Sequence, residues 1–306
     1  MNKLKESIYK LAREYVKKQL TRNLGKVIEE DDRLICYVNK HKCEKNIFTN
    51  TFACGGITDN DRHLAKVYNL DKPIYYVFDG LEFDKNQVYI YGYDNVNIII
   101  RNCKFFYGLH VRVHGKCFLS ENSYIRAFRG LSVYADDITI KDMNIINELK
   151  YTNNLHVEIA ADDNLNIINS YIGKMNEKIT IDISAGKKMV IDNSQIEGDN
   201  IKCESPKIET HHDSSLIATK RVNLNVKDFE PIKITSPVVV LNNNEINSNN
   251  KPIKLKQLTN PLSIKRLELI ELLKRVKDKC DNVNSNEIDE YKSYINNRSI
   301  SKTLKK

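Results

Sequence analysis

The chain has 306 residues, of which 41% are apolar and 29% charged, with a formal net charge of +8. This apolar share is ample for a sizeable core in one or two domains, and no apolar run approaches the length of a membrane span. Residues 1–25 contain seven Lys or Arg against two Glu, and residues 251–306 contain fourteen against seven acids, so the middle of the chain is mildly acidic. Solvated helix faces explain such basic ends, and so would docking to an anionic surface or to nucleic acid.

The N-terminal segment is charged throughout and lacks the apolar core of a secretory signal. We therefore expect a cytoplasmic protein, with release by cell lysis left open. Residues 2–24 have the spacing of an amphipathic helix, and Gly25 is a natural stop. We expect the apolar face of this helix to pack against the rest of the protein; it consists of Leu4, Ile8, Leu11, Ala12, Tyr15 and Leu20.

The seven cysteines are an odd number and follow no disulfide framework, which favours a reducing compartment. Cys36, Cys43 and Cys54 lie near His41 but lack the close CxxC pairing of a structural zinc site. We therefore expect no metal there. The cysteines that lie within or beside predicted strands, and that we interpret as small core residues, are Cys103, Cys117 and Cys203.

A glycine-rich segment at residues 55–65 reads Gly-Gly-Ile-Thr-Asp-Asn-Asp-Arg-His-Leu-Ala. Thr58 or Asp59 can cap a helix, which we place near residues 59–69. Strand-like sequences flank it, at residues 34–38, 74–78 and 88–92.

Residues 96–196 then repeat one short pattern, in which apolar residues stand four and two places before an Asn or Asp and three places after it. Period-two alternation predicts a strand, and Asn or Asp tolerates the left-handed conformation of a sharp corner. A second alternating strand precedes each corner by about ten residues. Successive corners are 20 to 27 residues apart, and repeats of this length are typical of solenoids. The predicted corners are Asn102, Asn122, Asp142, Asn169 and Asn193.

Each repeat therefore supplies one turn of a parallel β-helix: an exposed-face strand, a second strand, an Asn corner and a brief third strand. Stacked turns lie about 4.8 Å apart, so apolar side chains form continuous columns. The corner Asn and Asp residues can pass amide hydrogen bonds from one coil to the next. We predict an all-β solenoid, a right-handed parallel β-helix.

The segment Gly56-Ile-Thr-Asp-Asn-Asp, the short helix and the Asn-corner coils together resemble the pectin-lyase-like β-helix superfamily over about residues 55–250. That superfamily includes polysaccharide lyases, polygalacturonase-type hydrolases and phage tail spikes. The resemblance implies that the helix near residues 59–69 caps the open end of the solenoid and that saccharides bind on the flat exposed face. The chain departs from the polygalacturonase pattern, since it has no Gly-His-Gly, Asn-Thr-Asp or matching Arg-Ile-Lys motif, so no catalytic set is carried over.

After residue 196 the repeat continues less regularly, and its register near His211 is not fixed by the pattern. Helices at about residues 260–279 and 286–296 follow, with Pro261 near the first helical position. We interpret them as a C-terminal helical cap, because an uncovered solenoid end would expose unpaired strand edges. The predicted organisation is an N-terminal helix (1–32), the β-helix (33–250) and a helical cap with a basic tail (251–306).

Aligning the exposed-face strands by their inward residues predicts three rows of outward side chains. One row contains Arg112, Ser132, Glu158, Asp182 and Lys202. A second contains His110, Gly130, His156, Thr180 and Asn200. A third contains His114, Tyr134, Ala160, Ser184 and Glu204.

In this alignment Glu158 and Asp182 are neighbours on adjacent coils, which would raise one carboxyl pKa or hold a cation such as Ca²⁺ between them. Paired carboxylates with a nearby base and cation are what glycoside hydrolysis or uronate elimination requires. Glu158 and Asp182 are thus the candidate catalytic residues. The candidate substrate-binding residues are His110, Arg112, His114, Tyr134, His156 and Lys202.

An ordinary ladder of paired surface charges explains the same rows, and the face lacks the clustered Asp of a calcium-dependent lyase. His211-His212-Asp213 offers metal ligands, although a polar corner explains it equally. We expect a polysaccharide-binding protein with no obligatory cofactor, and cleavage of the bound chain stays open. The alternative is a non-catalytic intracellular or phage-derived scaffold that docks proteins through its basic helical ends. No nucleic-acid motif is present, and the oligomeric state stays open.

Overall fold

The computed structural model describes residues 3–46, 51–55, 73–84, 86–92, 96–121, 123–126, 130–146, 155–173, 179–230, 232–247 and 253–254. The chain divides into two compact units, Met1–Lys254 and Leu255–Lys306, and every described residue belongs to the first. The predicted helix near residues 59–69 and the predicted C-terminal helical cap lie outside the described residues.

The described chain starts with helix α1 (Lys3–Asn23) and contains a 3-10 turn at Lys40–Lys42. The first strands are β1 (Gly25–Glu29), β2 (Leu34–Val38), β3 (Glu44–Asn46), β4 (Thr51–Gly55), β5 (Ile74–Asp79), β6 (Glu82–Phe83), β7 (Gln87–Tyr91), β8 (Val96–Arg101) and β9 (Lys104–Phe105). Next come β10 (Leu109–Arg112), β11 (Lys116–Ser120), β12 (Tyr124–Arg126), β13 (Leu131–Lys141), β14 (Asn144–Ile146), β15 (Leu155–Ile168) and β16 (Tyr171–Gly173). The last are β17 (Ile179–Ala185), β18 (Lys188–Asp192), β19 (Gln195–His211), β20 (Ser215–Phe229), β21 (Lys233–Thr235), β22 (Val238–Leu241), β23 (Asn244–Asn247) and β24 (Ile253–Lys254).

These strands form a parallel β-solenoid of about seven turns, which confirms the predicted fold class. In the first sheet, β10 pairs in parallel with β7 and with the start of β13. In the second sheet, β11 pairs with β8 and with the end of β13. The brief strand β12 pairs with β9 and β14 in a third sheet. Each turn therefore has the three strands that the repeat predicts.

Aliphatic columns form the core, because every second residue of a strand points inward and stacked strands are in register. No single coil could cover its own apolar face, so burial depends on stacking. One column of the first sheet, each member at most 3% exposed, consists of Leu109, Leu131, Val157, Ile181, Ile201 and Val222.

A sharp corner with a left-handed residue follows six successive second-sheet strands, from β8 to β19. In the second of these corners Glu121 has the positive φ, one residue before the predicted Asn122, which lies outside the described residues. The side-chain amide of Asn169 donates to Asp142, so the predicted coil-to-coil amide bonds are present. The left-handed corner residues, with φ between 44° and 54°, are Asn102, Glu121, Asp142, Asn169, Asn193 and His212.

Buried serines beside these corners form a second ladder, which the sequence pattern did not indicate. The Ser170 hydroxyl accepts a hydrogen bond from the backbone N–H of Met143 at 3.1 Å and donates to its own coil at the carbonyl of Ile168. Ser194 repeats the arrangement one coil later, accepting from the N–H of Ser170 at 3.0 Å. These hydroxyls satisfy buried amides that the turn would otherwise leave unpaired.

Antiparallel pairing appears at both ends of the described solenoid, where β1 pairs with β2 and β22 with β23. Helix α1 contacts β1, and Val16, Leu20 and Leu24 are buried. The predicted packing face was wrong at Ile8, Leu11 and Tyr15, which are 41%, 69% and 38% exposed, because the buried contact lies toward the C-terminal end of the helix. No helix within the described ranges is long and apolar enough to cross a membrane.

Cys43 and Cys54 form a disulfide beside the antiparallel pair β3–β4. The sequence has no disulfide framework and favoured a reducing compartment, so it did not predict this bond, which joins cysteines eleven residues apart. Cys103, Cys117 and Cys203 are fully buried, as predicted.

Candidate functional site

The first sheet presents its outward side chains in rows that run along the solenoid. The row that we call the acid row contains Tyr89, His110, Ser132, Glu158, Asp182, Lys202 and Asn223. Two residues further along each strand, the row that we call the groove row contains Tyr91, Arg112, Tyr134, Ala160, Ser184, Glu204 and Asn225.

From Ser132 to Lys202 the acid row agrees with the predicted row. The register of β10 was wrong by two residues: His110, not Arg112, pairs with Ser132, and Arg112 pairs with Tyr134. A shift of two keeps every apolar side chain inward, so alternation alone does not distinguish the two registers.

Glu158 and Asp182 lie directly opposite each other on adjacent coils. His156 lies between their carboxylates: its Nε2 is 3.7 Å from Oε2 of Glu158 and 3.7 Å from Oδ2 of Asp182. All three side chains are between 37% and 47% exposed, so the cluster is open to a ligand. The structure thus brings together the two predicted acids and one predicted binding residue.

Tyr134 extends this cluster toward the groove row. Burial and then a hydrogen bond with Glu158 raise the pKa of Tyr134 to about 12, while the charge of Arg112 opposes the shift. The phenol is therefore protonated at neutral pH and acts as a donor to Glu158. A phenol with a raised pKa is a poor general base.

The remaining predicted residues lie at the edges of the cluster. Lys202 follows Asp182 in the acid row, but its ammonium lies 3.1 Å from a carboxylate oxygen of Glu204. His114 is exposed just beyond β10. Burial and then the charge of Asp162 raise the pKa of the nearby Asp136, and His114 lowers it by a smaller amount. His114 therefore belongs to the corner beside the face.

Tyr89 is a candidate ligand-binding residue that the sequence interpretation missed. Its ring stacks on that of His110, with centroids 4.8 Å apart and planes 12° from parallel, and Tyr89 is 41% exposed. Gln87 contacts the His110 ring from the same strand as Tyr89. Burial lowers the pKa of His110, so the stacked ring is neutral at pH 7. The alternating strand at residues 88–92 could have indicated an outward tyrosine here.

An open groove of about 510 Å³ runs beside the groove row, at the corner between the first and second sheets. Gly186 stands on its floor, where a Cβ would come within 2.0 Å of the carbonyl oxygen of Asp162. Small side chains at this corner leave the space open. The lining residues are Ala161, Asp162, Ser184, Ala185, Gly186, Glu204, Ser205, Pro206, Asn225, Val226 and Lys227.

The His211-His212-Asp213 segment forms a corner in which the two histidines have different partners. His212 Nδ1 is 2.5 Å from Oδ1 of Asp192 on the preceding coil, whereas His211 lies 3.6 Å from Glu230. Among the described residues, no group of three or more His, Cys, Asp or Glu side chains is arranged to hold a metal ion.

Comparison with protein-family models, curated proteins and solved structures finds no match for the chain. The parallel β-solenoid is therefore known from the structure itself, and the resemblance to the pectin-lyase-like superfamily stays a prediction.

Proposed function

We propose that the first sheet binds a polysaccharide that runs along the solenoid axis, across the acid row. The observation that carries this proposal is the convergence of Tyr134, His156, Glu158 and Asp182 in one open cluster. Their hydroxyl, imidazole and carboxylate groups offer donors and acceptors to sugar hydroxyls. The exposed Tyr89–His110 stack in the same row adds an aromatic surface of the amphipathic kind that sugar rings contact.

The spacing of the coils matches the repeat of a polysaccharide. Successive coils present equivalent side chains about every 4.8 Å, which is close to the length of one sugar unit in an extended chain. The acid row from Tyr89 to Lys202 covers six coils, so several sugars would each meet one coil.

Cleavage of the bound chain is a second candidate function, favoured by the direct opposition of Glu158 and Asp182. Two neighbouring carboxyl groups could divide the general acid and base roles, with the imidazole of His156 at 3.7 Å from both. The protonated Tyr134 would fix the Glu158 carboxylate by hydrogen bonding. This arrangement suits hydrolysis by the acids better than elimination with tyrosine as the base.

The experiment is a glycan array with the wild-type protein, the double variant Glu158→Gln/Asp182→Asn and the control Asp213→Asn. The control makes the same kind of change at an exposed corner acid away from the first sheet. We expect the double variant to bind a wild-type hit about 10-fold or more weakly, because charged hydrogen-bond acceptors are lost, and the control to bind normally. Incubating the same hit with each protein and measuring new reducing ends tests cleavage.

Two results would refute the proposal: an array on which the wild-type protein binds nothing, or a double variant that binds as tightly as wild type. Thermal unfolding of all three proteins shows whether any loss of binding comes from misfolding.

A further inference from the structure

The groove beside the cluster continues the proposed binding face. Ala160 and Ser184 stand two residues after Glu158 and Asp182 on the same strands, so they point to the same side of the sheet. Ser184 and the adjacent Ala185 line the groove, whereas neither acid does, so the groove begins two residues along the strand from Asp182. A chain that contacts the acids therefore has an open channel next to it.

The groove spans four coils, from Asp162 through Gly186 and Ser205 to Lys227. Three coil spacings of about 4.8 Å give a length of roughly 14 Å. This length accommodates about three sugar units of an extended chain. The volume of 510 Å³ lies within the ordinary range of ligand sites.

The groove is lined by two carboxylates, Asp162 and Glu204, and by one ammonium group, that of Lys227. Asp162 is exposed at one end and Lys227 at the other. Glu204, between them, is engaged by the ammonium of Lys202 at 3.1 Å and by the amide of Asn225 at 3.1 Å. A polymer with a carboxylate on every sugar would place one beside Asp162 and another beside Glu204, where like charges repel.

We infer that the groove is the principal saccharide-binding channel and that it holds about three units of an uncharged glycan, with Asp162 and Lys227 at its two ends. This inference rests on the proposed function and adds to it the path, the length and the charge of the bound segment. Ser184 contacts the middle of the chain and Asn225 the end beside Lys227, and the small residues of the floor admit the sugar rings.

The test fills the groove without altering the acid pair. Ser184→Tyr places a large outward side chain in the channel, and tyrosine is well tolerated on a strand. The matched control Asn166→Tyr makes the same kind of change at an outward position of the second sheet, which belongs neither to the acid row nor to the lining of the groove. The probes are cello-, manno- and laminari-oligosaccharides of two to six units, with galacturonate oligomers of the same lengths as the charged comparison.

Calorimetry should show affinity that rises steeply up to three units and then levels off, with galacturonate oligomers bound about 10-fold or more weakly than neutral ones. Ser184→Tyr should lose about 10-fold or more of the affinity for the neutral trisaccharide, and Asn166→Tyr should keep it. Circular dichroism and thermal unfolding establish that both variants fold.

The outcomes separate the two proposals. One outcome is that neutral oligomers bind, that their binding requires Glu158 and Asp182, and that Ser184→Tyr does not weaken it. This outcome refutes the groove as the binding channel and leaves the proposed binding face of the first sheet intact. If galacturonate oligomers bind more tightly than neutral oligomers of the same length, the assignment of an uncharged glycan is refuted, but the groove as the binding channel is not. If no oligosaccharide or array glycan binds the wild-type protein, both proposals fall together.

Discussion

Asn193 donates its side-chain amide to the side-chain oxygen of Asn169 on the preceding coil, at 3.0 Å. Asn169 in turn donates to Asp142 at 3.1 Å, and all three residues have positive φ. Each corner residue therefore adopts a backbone conformation that most residues avoid and also links its coil to the next. Because the links are between coils, they favour the stacking register on which the rows of the first sheet depend.

Two substitutions of Asn169 should separate these contributions. Asn169→Gly removes both amide bonds but tolerates the left-handed conformation, so we expect a loss of about 1–2 kcal/mol in the free energy of unfolding. Asn169→Ala adds the cost of placing a Cβ in that conformation, about 1 kcal/mol more. Urea unfolding at pH 7 measures both. Equal stability of the two variants would show that backbone conformation contributes nothing at this corner.

A second prediction concerns pH and the corner of His212. The hydrogen bond with Asp192, and then its charge, raise the pKa of His212. Because the folded-state pKa lies above the unfolded value of about 6.5, the stabilisation is complete below that pH and is lost as the pH rises through the folded value. The difference in unfolding temperature between wild type and Asp192→Asn should therefore be larger at pH 5.5 than at pH 8.5.

Histidine NMR titration checks the cause directly. Asp192→Asn should lower the pKa of His212, whereas Asp213→Asn, which removes only the weakest contributor, should lower it less. An unchanged His212 pKa in Asp192→Asn would contradict the assignment.

Tyr134 offers a third prediction, inside the candidate site. Burial is the largest cause of its raised pKa and the hydrogen bond with Glu158 the next. Glu158→Gln removes the negative charge that opposes ionisation of the phenol, so the pKa of Tyr134 should fall below about 12 but stay above the ordinary value of about 10. Carbon-13 tyrosine NMR at pH 11 measures this, because a lower pKa increases the ionised fraction of Tyr134 at that pH, with the Tyr134 resonance assigned from Tyr134→Phe. A pKa that does not move would remove Glu158 as a partner of Tyr134.

The repeat in the sequence was sufficient to predict the solenoid, because alternation and left-handed corners are local properties of the chain. The opposition of Glu158 and Asp182 was predicted because each acid stands eleven residues before the corner of its coil, at Asn169 and Asn193. The register of β10 was not, since moving His110 and Arg112 by two residues leaves the inward pattern unchanged. A period-two sequence pattern is the same in two registers that differ by two residues, so it does not distinguish them.

Features that depend on contacts between distant residues were also missed. Tyr89 was missed as a candidate binding residue because its ring stacks on that of His110 on the next coil, a contact between residues 21 positions apart in the sequence. The groove is lined by residues of four coils, and its small residues come from three of them, where none is unusual in its own strand. The face of α1 was misjudged at Leu11 because helical periodicity shows which residues share a side and not where along its length the helix meets its neighbour.

The buried thiols give the last prediction. Burial raises the pKa values of Cys36, Cys117 and Cys203 to about 12 and that of Cys103 to about 11, so almost no reactive thiolate is present at pH 8. In a Cys280→Ser background, which removes the one cysteine outside the described residues, the native protein should release almost no thiol signal to an aromatic disulfide reagent within minutes. Unfolding in guanidinium should expose four thiols, and prior reduction of the Cys43–Cys54 bond should add two. Rapid reaction of the folded protein with the reagent would mean that the coils open far more often than tightly stacked aliphatic columns allow.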